Sequence, residues 1–237
     1  MKKSLLAACV AALLLSQVGM AATPINSEKH VINVERVTDG LAHPWGMTFL
    51  PDGRLLVTER SGNLRYVGLD GKVSQPIQGV PKVRAYGQGG LLDVQIDPDF
   101  RHNQTVYLSF SEPSEDGKDS STAVASATLG EDKLTNVKII FSANPKIDSA
   151  YHFGSRLIFD RQGNLFVTLG DRGSRRDDAQ TLDTHLGKVV RIQTDGSVPA
   201  DNPYADNGNA MPEVWSFGHR NLQGAALNPV TGELWTH

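Results

Sequence analysis

His152 and Asp171 stand near the two ends of one stretch, Tyr151 to Gly173 (YHFGSRLIFDRQGNLFVTLGDRG). Between them lie an apolar run, Leu157-Ile158-Phe159, a polar turn, Asp160-Arg161-Gln162-Gly163, and a second apolar run from Leu165 to Leu169. Two β-branched or aromatic runs around a glycine turn read as an antiparallel hairpin. A hairpin returns the end of its second strand to the start of its first, so His152 and Asp171 are expected to meet. A carboxylate beside an imidazole orients the ring and stabilises its charged form, which is what a general base requires. The competing reading is a surface histidine and a turn aspartate brought close by accident.

The elements that would position this pair repeat along the chain. Pro44 to Val67 reads as three short strands with turns at Pro51-Asp52-Gly53 and Ser61-Gly62. The same grammar returns in Gly90 to Phe110 around Asp97-Pro98-Asp99, in the stretch above with Gly187 to Ile192, and in Gly224 to Trp235 around Asn228-Pro229. A strand, an acidic or Pro/Gly turn and a strand, recurring with variable insertions, is the signature of a β-propeller. The expected fold is therefore all-β, with four-stranded antiparallel blades, about four of them in this chain. A β-sandwich is the structural alternative. Val31 to Val37 alternates as a half-buried strand would, after a polar lead-in from Thr23 to His30. Glu112 to Ser121 and Asp201 to Met211 read as exposed loops, and Arg172 to Thr184 as a charged loop with one helical turn. Four repeats form an open arc with an unpaired edge, so the chain is expected to be the N-terminal part of a longer protein.

Equivalent loops of a radial repeat converge on one end of its channel. Three lead into repeats: Ala85 to Gly90, Tyr151 to Gly154 and Gly218 to Gly224. Gln88, His152, Arg220 and Asn221 are thus expected to face one another: an amide, a base, a fixed cation and a second amide. That set suits proton abstraction beside an anion or carbonyl held by the arginine. Taken singly, Gln88 could cap a backbone group and Arg220 could form a surface ion pair. His43, His102, His185 and His219 read as structural. No His/Cys cluster has zinc spacing, and Gly87-Gln88-Gly89-Gly90 lacks the Lys-Ser/Thr of a P-loop.

Composition bounds the rest. Lys2 and Lys3, an apolar run from Leu5 to Leu15 and small residues to Ala22 have the layout of a secretory signal peptide, 1–21, ahead of a propeller domain from 22 to 237. The apolar run is too short for a membrane span. The one cysteine, Cys9, lies within it, leaving a mature chain without thiols that fits a bacterial periplasm. Net charge is −3, or about −5 without the two lysines, and no basic block stands out, which argues against nucleic acid.

Taken together, HPWGMTFLPDGRLLVTER, GQGGLLDVQIDPDF, HFGSRLIFDRQGNLFVTLGDRG, LGKVVRIQTDGSVPADNP and GHRNLQG resemble the soluble pyrroloquinoline quinone (PQQ)-dependent sugar dehydrogenases. The chain looks most like the periplasmic aldose sugar dehydrogenases of the glucose/sorbosone dehydrogenase group. The resemblance implies a six-bladed propeller with PQQ and calcium at the channel mouth, an aldose substrate and an external electron acceptor. It implies His152 as the base for the C1 hydroxyl, Asp171 as its orienting acid, Gln88 at the cofactor pocket, and Arg220 and Asn221 at the quinone oxygens. Calcium ligands are expected beyond His237. Leu222 departs from the family's usual proline, and Tyr151 from a common Asn or Asp. The rival classes are a catalytically silent propeller acting as a binding module and a lactonase-type hydrolase. The latter needs several metal carboxylates where this chain offers Asp171 alone.

Overall fold

The computed structural model describes residues 23–237; the expected signal peptide lies outside the described residues. A small first unit holds β1 (Thr23–Asn26) and β2 (Val31–Val34), paired antiparallel. The expected loose lead-in is thus partly a strand. β2 is exposed along its length instead of half-buried, because a two-stranded ribbon has no second layer of its own to cover one face.

The second unit, Gly40 to His237, is all-β apart from one helical turn at Phe100–Asn103 and a 3-10 turn at Arg176–Gln180. β3 (Pro44–Phe49), β4 (Leu55–Glu59) and β5 (Asn63–Val67) form a three-stranded meander. β6 (Leu91–Ile96), β7 (Thr105–Pro113), β8 (Ser120–Leu129) and β9 (Leu134–Ser142) form a four-stranded one. A second four-stranded meander contains β10 (Gly154–Phe159), β11 (Leu165–Leu169), β12 (Lys188–Ile192) and β13 (Val214–Phe217). β14 (Ala225–Leu227) and β15 (Leu234–Thr236) make a hairpin. The first strands touch in series, β3 to β6 to β10 to β14, so the sheets stand as blades around their inner strands.

Apolar faces fill the space between blades. Leu56, Leu64, Leu91, Val94, Leu108 and Phe110 pack between the first two. Tyr107, Phe141, Leu157, Leu165, Val167 and Val190 pack between the next two, and Phe166, Val189 and Leu222 begin the last interface. Each blade opens with the same turn device: Asp52, Asp97, Asp160 and Asn228 accept, through Oδ1, the backbone N–H two residues on, at 2.8–3.0 Å.

The joint between blades also repeats. β3, β6 and β10 each bulge near their start. The N–H freed at the bulge, from Gly46, Asp93 or Arg156, donates to a hydroxyl on the next strand, from Thr58, Ser109 or Thr168, at 2.9 Å in each case. That hydroxyl donates onward to the following blade: Thr58 to the Leu92 carbonyl on β6, Ser109 to the Ser155 carbonyl on β10 at 2.6 Å, and Thr168 to the Leu222 carbonyl ahead of β14 at 2.8 Å.

One expected loop is shorter than its polarity suggested. β7 and β8 run into the Glu112–Ser121 segment, leaving a turn at 114–119, and Ser120 and Ser121 are buried. Paired strand backbone outweighs side-chain polarity there, since both serines sit in ladder register opposite Pro113 and Glu112. The charged loop after Asp171 does carry its single turn of helix.

Candidate active site

The hairpin register places the candidate pair. β10 and β11 pair Phe159 with Leu165 and Gly154 with Leu169, which carries His152 and Asp171 to the same end. His152 Nδ1 sits 2.6 Å from Asp171 Oδ1. An ionised carboxylate only accepts, so Nδ1 carries the proton and Nε2 holds the basic lone pair. Nε2 has no partner among the described residues. The same Asp171 oxygen accepts the Gly173 N–H at 2.7 Å, which fixes the acid as the acid fixes the ring. The side chains are 16 % and 5 % exposed, so the imidazole reaches solvent while its partner does not.

The backbone here is bent sharply. His152 has φ 56°, Ser155 88° and Arg172 58°, in the left-handed region that non-glycine residues seldom adopt. Such conformations persist where the surroundings over-determine them, and they cluster at functional sites. A Cβ on Gly170 would lie 1.9 Å from the His152 carbonyl oxygen, so only glycine lets the His152 loop close onto β11.

His152, Asp171 and Arg220 line one cavity of about 1010 Å³, with Tyr86, Tyr151 and His219 among its other walls. The Arg220 backbone is held where the third and fourth blades meet: its carbonyl accepts the Asp171 N–H at 2.8 Å, and Asn221 bridges to Gly170. Its guanidinium has no ion-pair or hydrogen-bond partner among the described residues, leaving a fixed cation at the cavity wall. Gln88 and Asn221 come to the same place but stand behind the lining. Gln88 Oε1 accepts the His152 N–H at 2.8 Å, and Asn221 Oδ1 accepts the Gly154 N–H at 3.0 Å. Each thereby clamps one side of the His152 turn and keeps its amide NH₂ unengaged.

Sequence reasoning passed over Arg172. Read as the first residue of a charged loop, it is instead 2 % exposed. Burial pulls its guanidinium down to about 10. Lys188 is fully buried too, donating to the carbonyls of Asp178, Ala179 and Leu186, and burial lowers it to about 8. His219 is pulled below the usual histidine range by burial and by Lys188, and its Nε2 lies 2.8 Å from the Ser216 hydroxyl. Charged types normally stay exposed, so nothing in the sequence signalled either cation. Among the described residues, no group of three or more His, Cys, Asp or Glu gathers to hold a metal. No helix among them is long and apolar enough to cross a membrane.

An unhindered imidazole nitrogen, an orienting carboxylate and an unpaired guanidinium on one cavity can take a proton from a hydroxyl while stabilising negative charge nearby. Comparison with known proteins gives this geometry a setting. The aldose sugar dehydrogenase of Escherichia coli is 45 % identical over 207 residues, covering 86 % of this chain and 55 % of its own length. The crystal structure of the soluble aldose sugar dehydrogenase from Escherichia coli in the apo-form is 43 % identical with a TM-score of 0.81, covering 85 % of this chain and 58 % of that one. The PQQ-bound form of an aldose sugar dehydrogenase from Streptomyces coelicolor is 27 % identical with a TM-score of 0.73, covering 86 % and 58 %. The chain thus spans a little over half the length of these relatives, and the match extends the all-β blades to a propeller. The profile of the Glucose / Sorbosone dehydrogenase family matches residues 41–237, and the chain belongs to that family.

Proposed function

We propose that the protein takes part in oxidising aldose sugars at C1 to lactones, with PQQ as hydride acceptor and an external acceptor taking the electrons onward. The observation that carries the reading is the His152–Asp171 pair at 2.6 Å, its Nε2 unengaged, on the same cavity as the unpaired Arg220. His152 Nε2 would take the C1 hydroxyl proton. Asp171 would hold the ring in the required tautomer and stabilise the imidazolium that results.

The donor set fits the quinone end of such a cofactor. Arg220 offers a fixed cation where a quinone oxygen gains negative charge, and Asn221 keeps two amide hydrogens for the same end. Gln88 has a free NH₂ for cofactor or sugar. When bound, PQQ supplies the two-electron acceptor that no side chain provides. Calcium, implied by the resemblance, draws on no ligand among these five residues. The signal-peptide layout supports export to the periplasm.

The test is sugar-dependent dye reduction by the full-length, PQQ-loaded protein. His152→Ala is expected to lower turnover by about 10²–10⁴-fold. Near-normal turnover would remove His152 as the base, and wild-type protein inert toward every aldose would favour the silent binding module.

A further inference from the structure

Arg172 lies directly after the acid that holds the His152 ring, yet it touches neither ring nor acid. Its side chain turns inward, through the left-handed backbone noted above, and its fork is spent on main-chain carbonyls. Nε donates to Tyr151 O at 2.9 Å, Nη1 to Ser120 O at 2.6 Å and Nη2 to Ser149 O at 2.6 Å. The guanidinium lies over the Phe153 ring, 3.7 Å from its centroid. Ser149 closes the loop in return, donating its hydroxyl to the Arg172 carbonyl at 2.6 Å.

No carboxylate pairs with this cation among the described residues. Burying an unpaired charge is costly, and a neutral side chain could fill the space without that penalty. What a neutral side chain lacks is a planar fork that holds three carbonyls at once. Two of those carbonyls, of Ser149 and Tyr151, belong to the segment leading into His152. The third belongs to β8 of the preceding blade, and the ring beneath the cation is the residue after His152.

We propose that Arg172 is a positioning residue for His152: it fixes the main chain leading into the histidine and packs on the ring of the residue after it, as Asp171 fixes the imidazole. The proposal rests on His152 being the base. One dipeptide, Asp171-Arg172, would then hold a single histidine twice, by side chain and by backbone, so the basic nitrogen faces the cavity before any ligand arrives.

The experiment reads the His152 Nδ1 proton by NMR in ¹⁵N-histidine-labelled apo-protein, beside kinetics of the full-length PQQ-loaded enzyme. In wild type the short bond to Asp171 should give a sharp, strongly downfield resonance. In Arg172→Lys and Arg172→Met that resonance is expected to move upfield or broaden. Turnover should fall by about 10–100-fold, with a far smaller change in KM. Lysine should not rescue, because it cannot span three carbonyls. Ser149→Ala should move the resonance the same way but less. A wild-type resonance in Arg172→Lys and Ser149→Ala would overturn the proposal, even with a lowered melting temperature. Should the Arg172 variants not fold, Ser149→Ala decides alone. Turnover surviving His152→Ala would instead refute the base, leaving the resonance to report on Arg172.

Discussion

Two of the histidine–carboxylate pairs in this protein, His152–Asp171 and His185–Glu213, put the same chemistry to opposite ends. His185 is buried, 4 % exposed, and lies edge-on to Phe141 with ring centroids 5.2 Å apart. Its Nδ1 accepts the Asn144 N–H at 2.9 Å, so Nε2 carries the proton and points it at Glu213 Oε2, 3.4 Å away. Both nitrogens are engaged, and His185 lines none of the cavities described here. His152 engages one nitrogen, tightly, and leaves the other over a cavity. What separates the two pairs is the second nitrogen, bonded in His185 and open over a cavity in His152.

The comparison breaks first at Asp171. Asp171→Asn keeps the size and removes the charge that orients the ring, and should lower turnover by about 10²–10⁴-fold while thermal stability changes little. Near-normal turnover would make the two pairs equivalent. Next comes His185→Ala, which strands the Asn144 N–H and opens space against Phe141. It should lower stability by about 2–4 kcal/mol in urea denaturation, with turnover per folded molecule unchanged. A specific loss of turnover would erase the distinction.

The smallest effect sharpens it. Glu213 is held below the usual glutamate range, chiefly by the hydrogen bond from His185. A lowered carboxyl value contributes stability above the unfolded value, and that contribution is lost as pH falls through the folded one. Glu213→Gln should therefore remove about 0.5 kcal/mol at neutral pH and nothing once both forms are protonated. The check is urea midpoints of the two proteins at neutral pH and at about pH 3. An equal difference at both would show that the charge contributes nothing.

Much of this was legible in residue order. The turn Asp160 to Asn164 lies midway between His152 and Asp171, so pairing the flanking apolar runs was enough to bring the two together. The turns at Asp97, Asp160 and Asn228 announced the blades, with the first acceptor at Asp52 in the turn Pro51-Asp52-Gly53. What stayed hidden depends on the neighbouring blade. Gln88 and Asn221 were placed at the site, but their work on the backbone N–H groups of His152 and Gly154 follows from loop contacts across blades, which periodicity does not encode. Ser120, Ser121 and Arg172 looked solvated because their types usually are. Arg172 is buried because carbonyls of other segments take up its guanidinium, and the two serines because their backbone belongs to the β7–β8 ladder. Asp93 is the same lesson in an acid: burial pushes its carboxyl up, yet it stays, bonded to the Leu157 N–H and to Arg156 of the next blade.

The hydroxyl joints at Thr58, Ser109 and Thr168 bear on how such a chain can be altered. Each lies on the second strand of its blade, β4, β7 or β11, whereas at the turn at 114–119 a Cβ on Gly117 would meet nothing within 4 Å. Removing one of these hydroxyls uncouples two neighbouring blades at once. The angle between successive sheets, and with it the aim of every loop at the cavity, is thus carried by three small side chains.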